Sequence, residues 1–433
     1  MVVPRRTVIG VRPRHLPPDE SMASDTTQQL EGSAASELQT LLVVSAAHLI
    51  SHLHIMVLPV LLPLLKDQLG VGFFELGLAL TTFNIVSGLT QAPMGFVVDR
   101  FGARTVLIGG LVLGGLAFLS LGFSYSYAWL LVTALLAGLA NCVYHPADYA
   151  ILTDQISDDR IGRAFSVHTF AGFVGGAIAP PVLLGLASVG GLSASLVFAG
   201  LFAWATAAAL LLVPMQNHVR QRAGFGRSAQ GAAGDSIARV FTPKVLGLTV
   251  FFTLLALSHS AMYSFSIVAL IASQGVSLAA ATAALTAYLT GAAVGVLVGG
   301  WLADKTRRHG DVAALGFALS AVIGLAIATL TLGVALLVLA MGTAGFLFGI
   351  IQPSRDMLVR RAAPPGGAGR VFGIVSTGFN IGGIFGPLLF GWLMDQGAPR
   401  WVFGAAVVFM VTTALVAAFE DRRPNRRALS QQP

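Results

Sequence analysis

Long runs that lack Asp, Glu, Lys and Arg restrict the fold of this chain more than any other feature. Eight such runs follow one another at 38–65, 76–98, 105–147, 164–219, 245–303, 312–354, 371–394 and 401–419. About 20 apolar residues cross the hydrocarbon core of a bilayer as a helix. Each of the four shorter runs therefore predicts one membrane span. Each longer run predicts two spans, with tight turns near 124–127, 188–192, 273–275 and 331–333.

The resulting twelve spans, numbered in chain order, predict an all-α integral membrane protein. Composition agrees, since 55% of the residues are hydrophobic and 10% are charged, against about 25% charged in an ordinary soluble domain. The net charge of +7 comes from Lys and Arg in the short segments between spans, so it indicates no nucleic-acid partner. The single cysteine, Cys142, lies in an apolar run and excludes an intramolecular disulfide.

The chain repeats its own pattern after 207 positions, which predicts two homologous six-helix halves. The matching positions are Ser51-His52 with Ser258-His259, His145-Pro146 with Gln352-Pro353, Gly162-Arg163 with Gly369-Arg370, Gly175-Gly176 with Gly382-Gly383, and Pro180 with Pro387. Repeats of this kind place a substrate site at their interface. The predicted domains are a disordered leader (1–37), an N-terminal half (38–214), a basic linker (215–244), a C-terminal half (245–420) and a tail (421–433).

Basic residues between the predicted spans fall almost entirely on the face that carries the two chain termini, with Lys66 and Arg400 as the exceptions. The positive-inside rule places such a face in the cytoplasm. The sequence therefore predicts a multi-pass protein of the plasma membrane with both termini cytoplasmic. The leader is predicted to be disordered because it is polar, contains proline and lacks apolar periodicity.

A motif that combines glycine, an acid and basic neighbours follows span 2 and recurs after span 8. It reads Gly95-Phe-Val-Val-Asp99-Arg100-Phe-Gly102-Ala-Arg104 at the first place and Gly300-Trp-Leu-Ala-Asp304-Lys305 at the second. With the twelve spans and two halves, it resembles the loop 2–3 signature of the major facilitator superfamily over residues 38–420. The resemblance implies transport by alternating access, with Gly95, Asp99, Arg100, Arg104 and Asp304 in a conformational latch. A solvated loop charge is the alternative for Asp99.

Within that superfamily, His145-Pro146 near the end of span 4 and a glycine-rich span 5 resemble the fosmidomycin-resistance branch of drug exporters. Spans 5 and 11 carry loose forms of the antiporter signature, Gly172-x-x-Gly175-Gly176 and Asn380-Ile-Gly382-Gly383-Ile-Phe-Gly386-Pro387. Span 4 lacks the arginine that usually precedes its glycines in drug–proton antiporters. Each glycine taken alone also fits ordinary helix packing.

Two histidines near the midpoints of spans 1 and 7 are the leading candidates for a solute or proton site. His52 and His259 are related by the repeat, and histidine titrates close to neutral pH, which suits a proton carrier. The alternative is a neutral histidine that hydrogen-bonds a neighbouring helix, and we prefer it for His48 and His54. The spacing His48-x-x-x-His52 also occurs in membrane di-iron desaturases. Those need further histidine boxes in their loops, which this chain lacks, so we expect no metal.

Spans 4 and 10 carry polar side chains at helical spacing. Charged groups inside a bilayer cost about 2.5–3.5 kcal/mol on insertion scales, so they normally face a cavity or a partner. The resemblance implies that spans 1, 4, 7 and 10 surround the central cavity. The predicted pathway for substrate and protons comprises His52, Tyr144, His145, Asp148, His259, Tyr263, Gln352 and Arg355. Simple hydrogen bonding between helices is the alternative for each of them.

Asp148 and Arg355 are related by the repeat and opposite in charge. They predict an inner gate, paired when the cytoplasmic side is closed and rehydrated when it opens. The alternative is local, with Arg355 paired to the adjacent Asp356.

The sequence thus predicts a secondary transporter and not an enzyme. It contains no Gly-x-x-x-x-Gly-Lys-Ser/Thr loop for ATP, so a gradient must drive transport. We expect a monomeric, proton-coupled efflux antiporter whose partners are a drug-like or anionic small molecule, protons and membrane lipid, without a cofactor. Import of a small organic acid is the alternative, because Arg355 and the histidines could hold a carboxylate. A membrane-embedded enzyme is more remote, since the chain has no Gly-x-Ser-x-Gly and no suitable carboxylate pair.

Overall fold

The computed structural model describes residues 20–215, 242–363 and 368–422, and every regular element in these ranges is a helix. In chain order the helices are Glu20–Leu69, Phe73–Phe101, Ala103–Phe123, Tyr127–Asn141, Tyr144–Gln155, Ile161–Leu212, Pro243–Ser260, Ser266–Gln274, Leu278–Lys305, His309–Thr329, Val334–Ala362, Ala368–Asp395 and Arg400–Arg422, with a π-helical turn at Ala261–Phe265. Span 4 therefore runs over Tyr127–Gln155 and span 7 over Pro243–Gln274, each in two helical pieces.

Eleven helical stretches of the described chain are long and apolar enough to cross a membrane. The longest, Ile161–Leu212, contains spans 5 and 6, because Gly190 and Gly191 have non-helical dihedral angles and divide it. Gly191 has a φ of 69°, a left-handed conformation that glycine adopts at little cost. The break lies inside the predicted turn at 188–192. The predicted all-α membrane fold with twelve spans is confirmed.

The first helix begins at Glu20, inside the segment that we expected to be disordered. Adding residues to an existing helix costs far less than nucleating a new one, so polar residues before span 1 can extend it. Residues 1–19 lie outside the described part of the chain, as do 216–241, most of the predicted linker, and 423–433, most of the predicted tail.

Two interruptions inside spans position the polar side chains. Pro146 has no N–H to donate to the carbonyl of Cys142, and the helix of span 4 breaks at Cys142 and Val143. In span 7 the π-helical turn Ala261–Phe265 begins two residues after His259. Turns of this kind are frequent at functional sites, because the inserted residue rotates the side chains that follow it.

Glycines allow spans of one half to pack closely. A methyl group on Gly175 of span 5 would collide with the carbonyl of Leu49 in span 1, and one on Gly378 of span 11 would collide with the carbonyl of Thr249 in span 7. The same pairing, of the first span with the fifth, thus occurs in both halves. Large apolar side chains cover the outside of the bundle; Phe96 is 79% exposed, for example. Such a surface requires lipid as its solvent.

The two faces of the bundle differ. We call the face that carries Glu20 and Arg422 the termini face, and the opposite one the far face. At the far face, the Asp395 carboxylate of span 11 accepts hydrogen bonds from the N–H groups of Phe73 and Phe74 at the start of span 2, both at 2.8 Å. About two helical turns deeper, Thr81 donates to the carbonyl of Ile384 at 2.8 Å. Spans 2 and 11 therefore close the far face.

The contact between spans 2 and 11 fades towards the termini face. At Gly88 the side chain of Asn380 still lies close, 3.0 Å from the position of an added Cβ. Residues 91–93 are exposed, and a Cβ at Gly95 or Gly373 would meet nothing within 4 Å. The described chain is therefore in a conformation that is open at the termini face and closed at the far face.

Candidate functional site

A cavity of about 460 Å³ lies between the two halves. Spans 1, 2, 3 and 5 line it on the N-terminal side, and spans 7, 8, 10 and 11 line it on the C-terminal side. Five of the predicted pathway residues line this central cavity: His52, His259, Tyr263, Gln352 and Arg355. The five residues, which were selected from the repeat and from helical spacing, thus lie around one cavity.

Arg355 is held in the cavity wall by an acid and two rings. Its Nε and Nη2 atoms each lie 2.9 Å from Oδ1 of Asp356. The guanidinium carbon lies 5.1 Å and 5.2 Å from the ring centroids of Phe252 and Phe379, within the range of cation–π contacts. The Arg355 side chain is 12% exposed, whereas Asp356 is 48% exposed. A partly dry, oriented guanidinium is a suitable binding group for an anionic ligand.

His259 is surrounded by aromatic side chains. Its ring stacks on Phe348 with centroids 4.5 Å apart and an interplanar angle of 7°, and it lies 4.7 Å from the Tyr263 ring. Its Nδ1 atom is 3.3 Å from the Tyr288 hydroxyl. A neutral ring can either donate to that hydroxyl or accept from it, whereas a protonated ring can only donate.

On the N-terminal side, His52 faces the cavity near Phe173, with ring centroids 6.5 Å apart. Asn84 of span 2 also lines the cavity and donates to the carbonyl of Gly383 in span 11 at 2.8 Å. Apart from His52 and His54, this side of the cavity is mainly apolar. The charge of the cavity therefore lies on its C-terminal wall.

The other three predicted pathway residues, Tyr144, His145 and Asp148, lie inside the N-terminal half. Two of them, His145 and Asp148, belong to a group of polar side chains that also includes His52 of the cavity. We call His48, His52, His145, Asp148 and His168 the histidine cluster. The His48 ring lies 4.8 Å from His52, 5.3 Å from His145 and 4.0 Å from His168, measured between centroids. Asp148 is completely buried beneath them. Tyr144 is also buried, while His145 is exposed. Tyr144, His145 and Asp148 thus lie outside the central cavity.

The Asp148–Arg355 ion pair does not form in this conformation. Asp148 lies 3.5 Å from His48 and 3.6 Å from His168, and Arg355 pairs with Asp356, which is the local alternative weighed from the sequence. Rehydration of Asp148 in the open state was also expected, but its side chain is 0% exposed. The gate stays a prediction for the conformation that is closed at the termini face.

Four of the five predicted latch residues contact little at the open face. Asp99, Arg100 and Asp304 are exposed, and Asp99 has no hydrogen bond or ion pair to any described residue. Gly95 faces open space. Arg104 differs, because its guanidinium donates to carbonyls at the end of span 6, those of Leu210, Leu211, Val213 and Met215. It caps that helix and so links spans 3 and 6. The latch itself stays a prediction.

Sequence reasoning missed several side chains of the site. Tyr288 and Phe348 contact His259. Their counterparts at the 207-residue shift are Thr81 and Asn141, which are not aromatic, so the repeat did not single out either ring. The signal for Tyr288 is that it is a single tyrosine near the middle of a span made mostly of Ala, Leu, Gly, Val and Thr. The sequence analysis gave His48 a structural role and did not single out His168; both lie beside Asp148.

Comparisons with known proteins agree with this architecture. The family model of the Major Facilitator Superfamily matches residues 44–268 and 249–433. Multidrug resistance protein MdtH of Aeromonas hydrophila is 28% identical over 395 residues, covering 85% of this chain and 92% of that protein. The fosmidomycin resistance protein of Escherichia coli is 27% identical over 165 residues, covering 36% of this chain and 40% of that protein.

The fold is shared with a solved bacterial homologue of the lysosomal transporter Spinster, described as inward-facing and unoccupied. The TM-score is 0.73 with 15% identity, and the match covers 89% of this chain and 97% of that one. Twelve spans in two repeated halves around a central cavity, together with the family match over nearly all of the spans, settle the classification. The chain belongs to the major facilitator superfamily of transporters.

Proposed function

We propose that the chain exports an amphiphilic organic anion from the cytoplasm in exchange for protons. The observation that carries the proposal is Arg355, which lies against the rings of Phe252 and Phe379 in the wall of an otherwise largely apolar cavity. Among the described residues that line the cavity, it is the only Lys, Arg, Asp or Glu. A ligand with one anionic group and an aromatic or aliphatic body matches that distribution.

Size and shape support a drug-like solute. The cavity volume of about 460 Å³ falls within the range of about 300–1,000 Å³ that is usual for small-molecule pockets. Asp356 pairs with the Arg355 guanidinium and is itself half exposed. An anionic solute would displace Asp356 into water and take its place on Arg355. The planar guanidinium can pair with two oxygen atoms of one group, which favours carboxylates and phosphonates.

The direction of transport is inferred from orientation and from relatives. The positive-inside rule places the termini face in the cytoplasm, so the described conformation would face inward. A multidrug resistance protein and a fosmidomycin resistance protein are among the relatives. Their names describe resistance to compounds, which export provides, and the proposal extends that direction to this chain.

Proton coupling is assigned to His259. In its neutral form the ring can accept a hydrogen bond from Tyr288 or from a solute, and protonation removes that capacity. A proton and the solute then compete for the same ring. An antiporter requires such competition, because it must carry the proton and the solute in separate steps. Import of a small organic acid is the second candidate, because a protonated His259 near Arg355 would instead help to hold a carboxylate.

A binding panel tests the solute class. Purified protein is mixed with amphiphilic anions, neutral compounds and cations of similar size, and the shift in melting temperature is recorded. We expect anions to bind, and Arg355→Gln to weaken them about 10- to 100-fold, as for the loss of a charge-assisted hydrogen bond of about 1.5–3 kcal/mol.

Arg360, an exposed residue on the same helix, gives the matched control Arg360→Gln, which should bind like the wild type. Preferential binding of cations, or anion binding that Arg355→Gln leaves unchanged, would contradict the proposed solute class.

A further inference from the structure

Three buried side chains from three different spans converge within the histidine cluster. His48 of span 1, Asp148 of span 4 and His168 of span 5 are 4%, 0% and 1% exposed. Within the described part of the chain, Nδ1 of His48, both carboxylate oxygens of Asp148 and both ring nitrogens of His168 have no hydrogen-bond partner. Most buried polar atoms in proteins do have one. This concentration of unpaired donors and acceptors at one point requires an explanation.

The distances between the three side chains are close to those between the ligands of one metal ion. Nδ1 of His48 lies 3.5 Å, and Nε2 of His168 3.6 Å, from the same carboxylate oxygen of Asp148. Both are too long for good hydrogen bonds of about 2.7–3.2 Å. All three ligand atoms lie within 4.8 Å of one another. Ligands at about 2.0–2.1 Å from a tetrahedral Zn²⁺ are separated by about 3.3–3.4 Å, so two of the three separations need to change by only a few tenths of an ångström.

Electrostatics favour a cation at this point. A buried carboxylate without a hydrogen bond or an opposite charge is costly in a low-dielectric interior. No Lys or Arg side chain of the described residues forms an ion pair with Asp148. A divalent ion at the centre of the three ligand atoms would satisfy the carboxylate and both imidazoles together.

We propose that His48, Asp148 and His168 bind a divalent transition-metal ion of the Zn²⁺ class, at a site separate from the Arg355–His259 wall. Two imidazole nitrogens and one carboxylate oxygen suit Zn²⁺ and its neighbours, whereas Mg²⁺ and Ca²⁺ require mainly oxygen ligands. Three protein ligands leave a fourth position open, as in sites that exchange water or substrate.

The surroundings fit such a site. The exposed His145 ring lies 5.3 Å from the buried His48 ring, so one member of the cluster is accessible from outside the bundle core. Gly172 of span 5 makes room for His48, because a Cβ there would lie 2.6 Å from Nε2 and Cδ2 of that ring. The sequence alone predicted no metal, since the three ligands come from separate spans and form no motif along the chain.

Metal binding to purified full-length protein tests the proposal. The protein is produced with a tag that contains no histidine, treated with a chelator and titrated with Zn²⁺ by calorimetry, and Co²⁺ is added in parallel to record the visible absorption of a tetrahedral site. We expect one high-affinity Zn²⁺ per chain and a higher melting temperature in its presence. Asp148→Asn and His168→Gln should each weaken Zn²⁺ binding at least about 100-fold.

The control is His259→Gln, which removes a histidine of the other half and should leave Zn²⁺ affinity unchanged. Melting curves without metal establish that each variant is folded. The proposal is overturned if folded wild type binds no stoichiometric Zn²⁺. It is equally overturned if Asp148→Asn and His168→Gln both bind as the wild type does, because the ion would then be held elsewhere.

Discussion

Asp395 links the two halves at the far face, and its removal should shift the conformational equilibrium. Its carboxylate accepts hydrogen bonds at 2.8 Å from two N–H groups, those of Phe73 and Phe74. These belong to the first turn of span 2, where helical N–H groups have no partner within the helix. Because Asp395 is in span 11 and Phe73 is in span 2, both bonds must break when the far face opens. Asp395→Asn keeps the shape of the side chain and removes its charge.

The magnitude follows from the loss of a charged helix cap. An N-cap hydrogen bond contributes about 0.5–2 kcal/mol, and a negative charge near a helix N-terminus contributes about 0.3–1 kcal/mol. Asp395 is exposed, and water replaces it when the far face opens, so we take the lower part of that range. About 1–2 kcal/mol corresponds to a 5- to 30-fold change in the ratio of the two conformations.

Distances between spin labels measure this ratio. Labels at Ser124→Cys and Leu330→Cys, exposed positions in far-face turns of the two halves, report the opening of that face by double electron–electron resonance. The native Cys142 is 1% exposed and can be replaced by serine. In Asp395→Asn we expect the ratio of separated to close label pairs to increase 5- to 30-fold.

Asp67 supplies the matched control. It is an exposed acid on the same face without a hydrogen bond or ion pair to any described residue, so Asp67→Asn should leave the distances unchanged. Equal distance distributions in Asp395→Asn and the wild type would refute the assignment of Asp395 as an inter-half cap.

Three further predictions concern the sites identified from the sequence. Asp99→Asn should weaken transport without weakening solute binding, and unchanged transport at normal expression would count against the latch. His259→Gln keeps polarity but cannot titrate, so it should bind solute yet lose the response of transport to a pH gradient; a full response would assign coupling to another group. Asp148→Arg and Arg355→Asp should each cripple transport, and the double swap should recover part of it. A double variant no better than the worse single one, with cysteines at 148 and 355 that never cross-link, would eliminate the inner gate.

The sequence predicted most of the fold because the bilayer imposes strong constraints on it. Charge-free runs located the spans, and even the turn at Gly190 and Gly191 was expected between 188 and 192. The repeat divided the chain into halves, since residues such as Gly175 and Gly382 meet the same packing requirement in each. What the runs could not show was the break at Cys142, which depends on one missing N–H at Pro146.

The site was predicted only in part, because helical spacing shows which residues share a face and not what lies opposite. His259 and Arg355 were identified, but the rings of Phe252 and Phe379 around Arg355 were not. Asp148 was assigned to the pathway because it is charged and shares a polar face of span 4 with Tyr144 and His145. Its actual neighbours come from spans 1 and 5, and only the packing of three helices brings them together.

Transport in proteoliposomes with an imposed pH gradient tests the central claim most directly. Vesicles are loaded with an amphiphilic organic anion, protein orientation is determined by protease accessibility, and solute movement is followed with the gradient in either direction. The account predicts that the anion leaves the compartment at the termini face while protons enter it from the far face, and that Arg355→Gln abolishes this exchange. Movement of anion and protons in the same direction would instead indicate import of an organic acid. Solute movement that is the same with the pH gradient in either direction would contradict proton coupling.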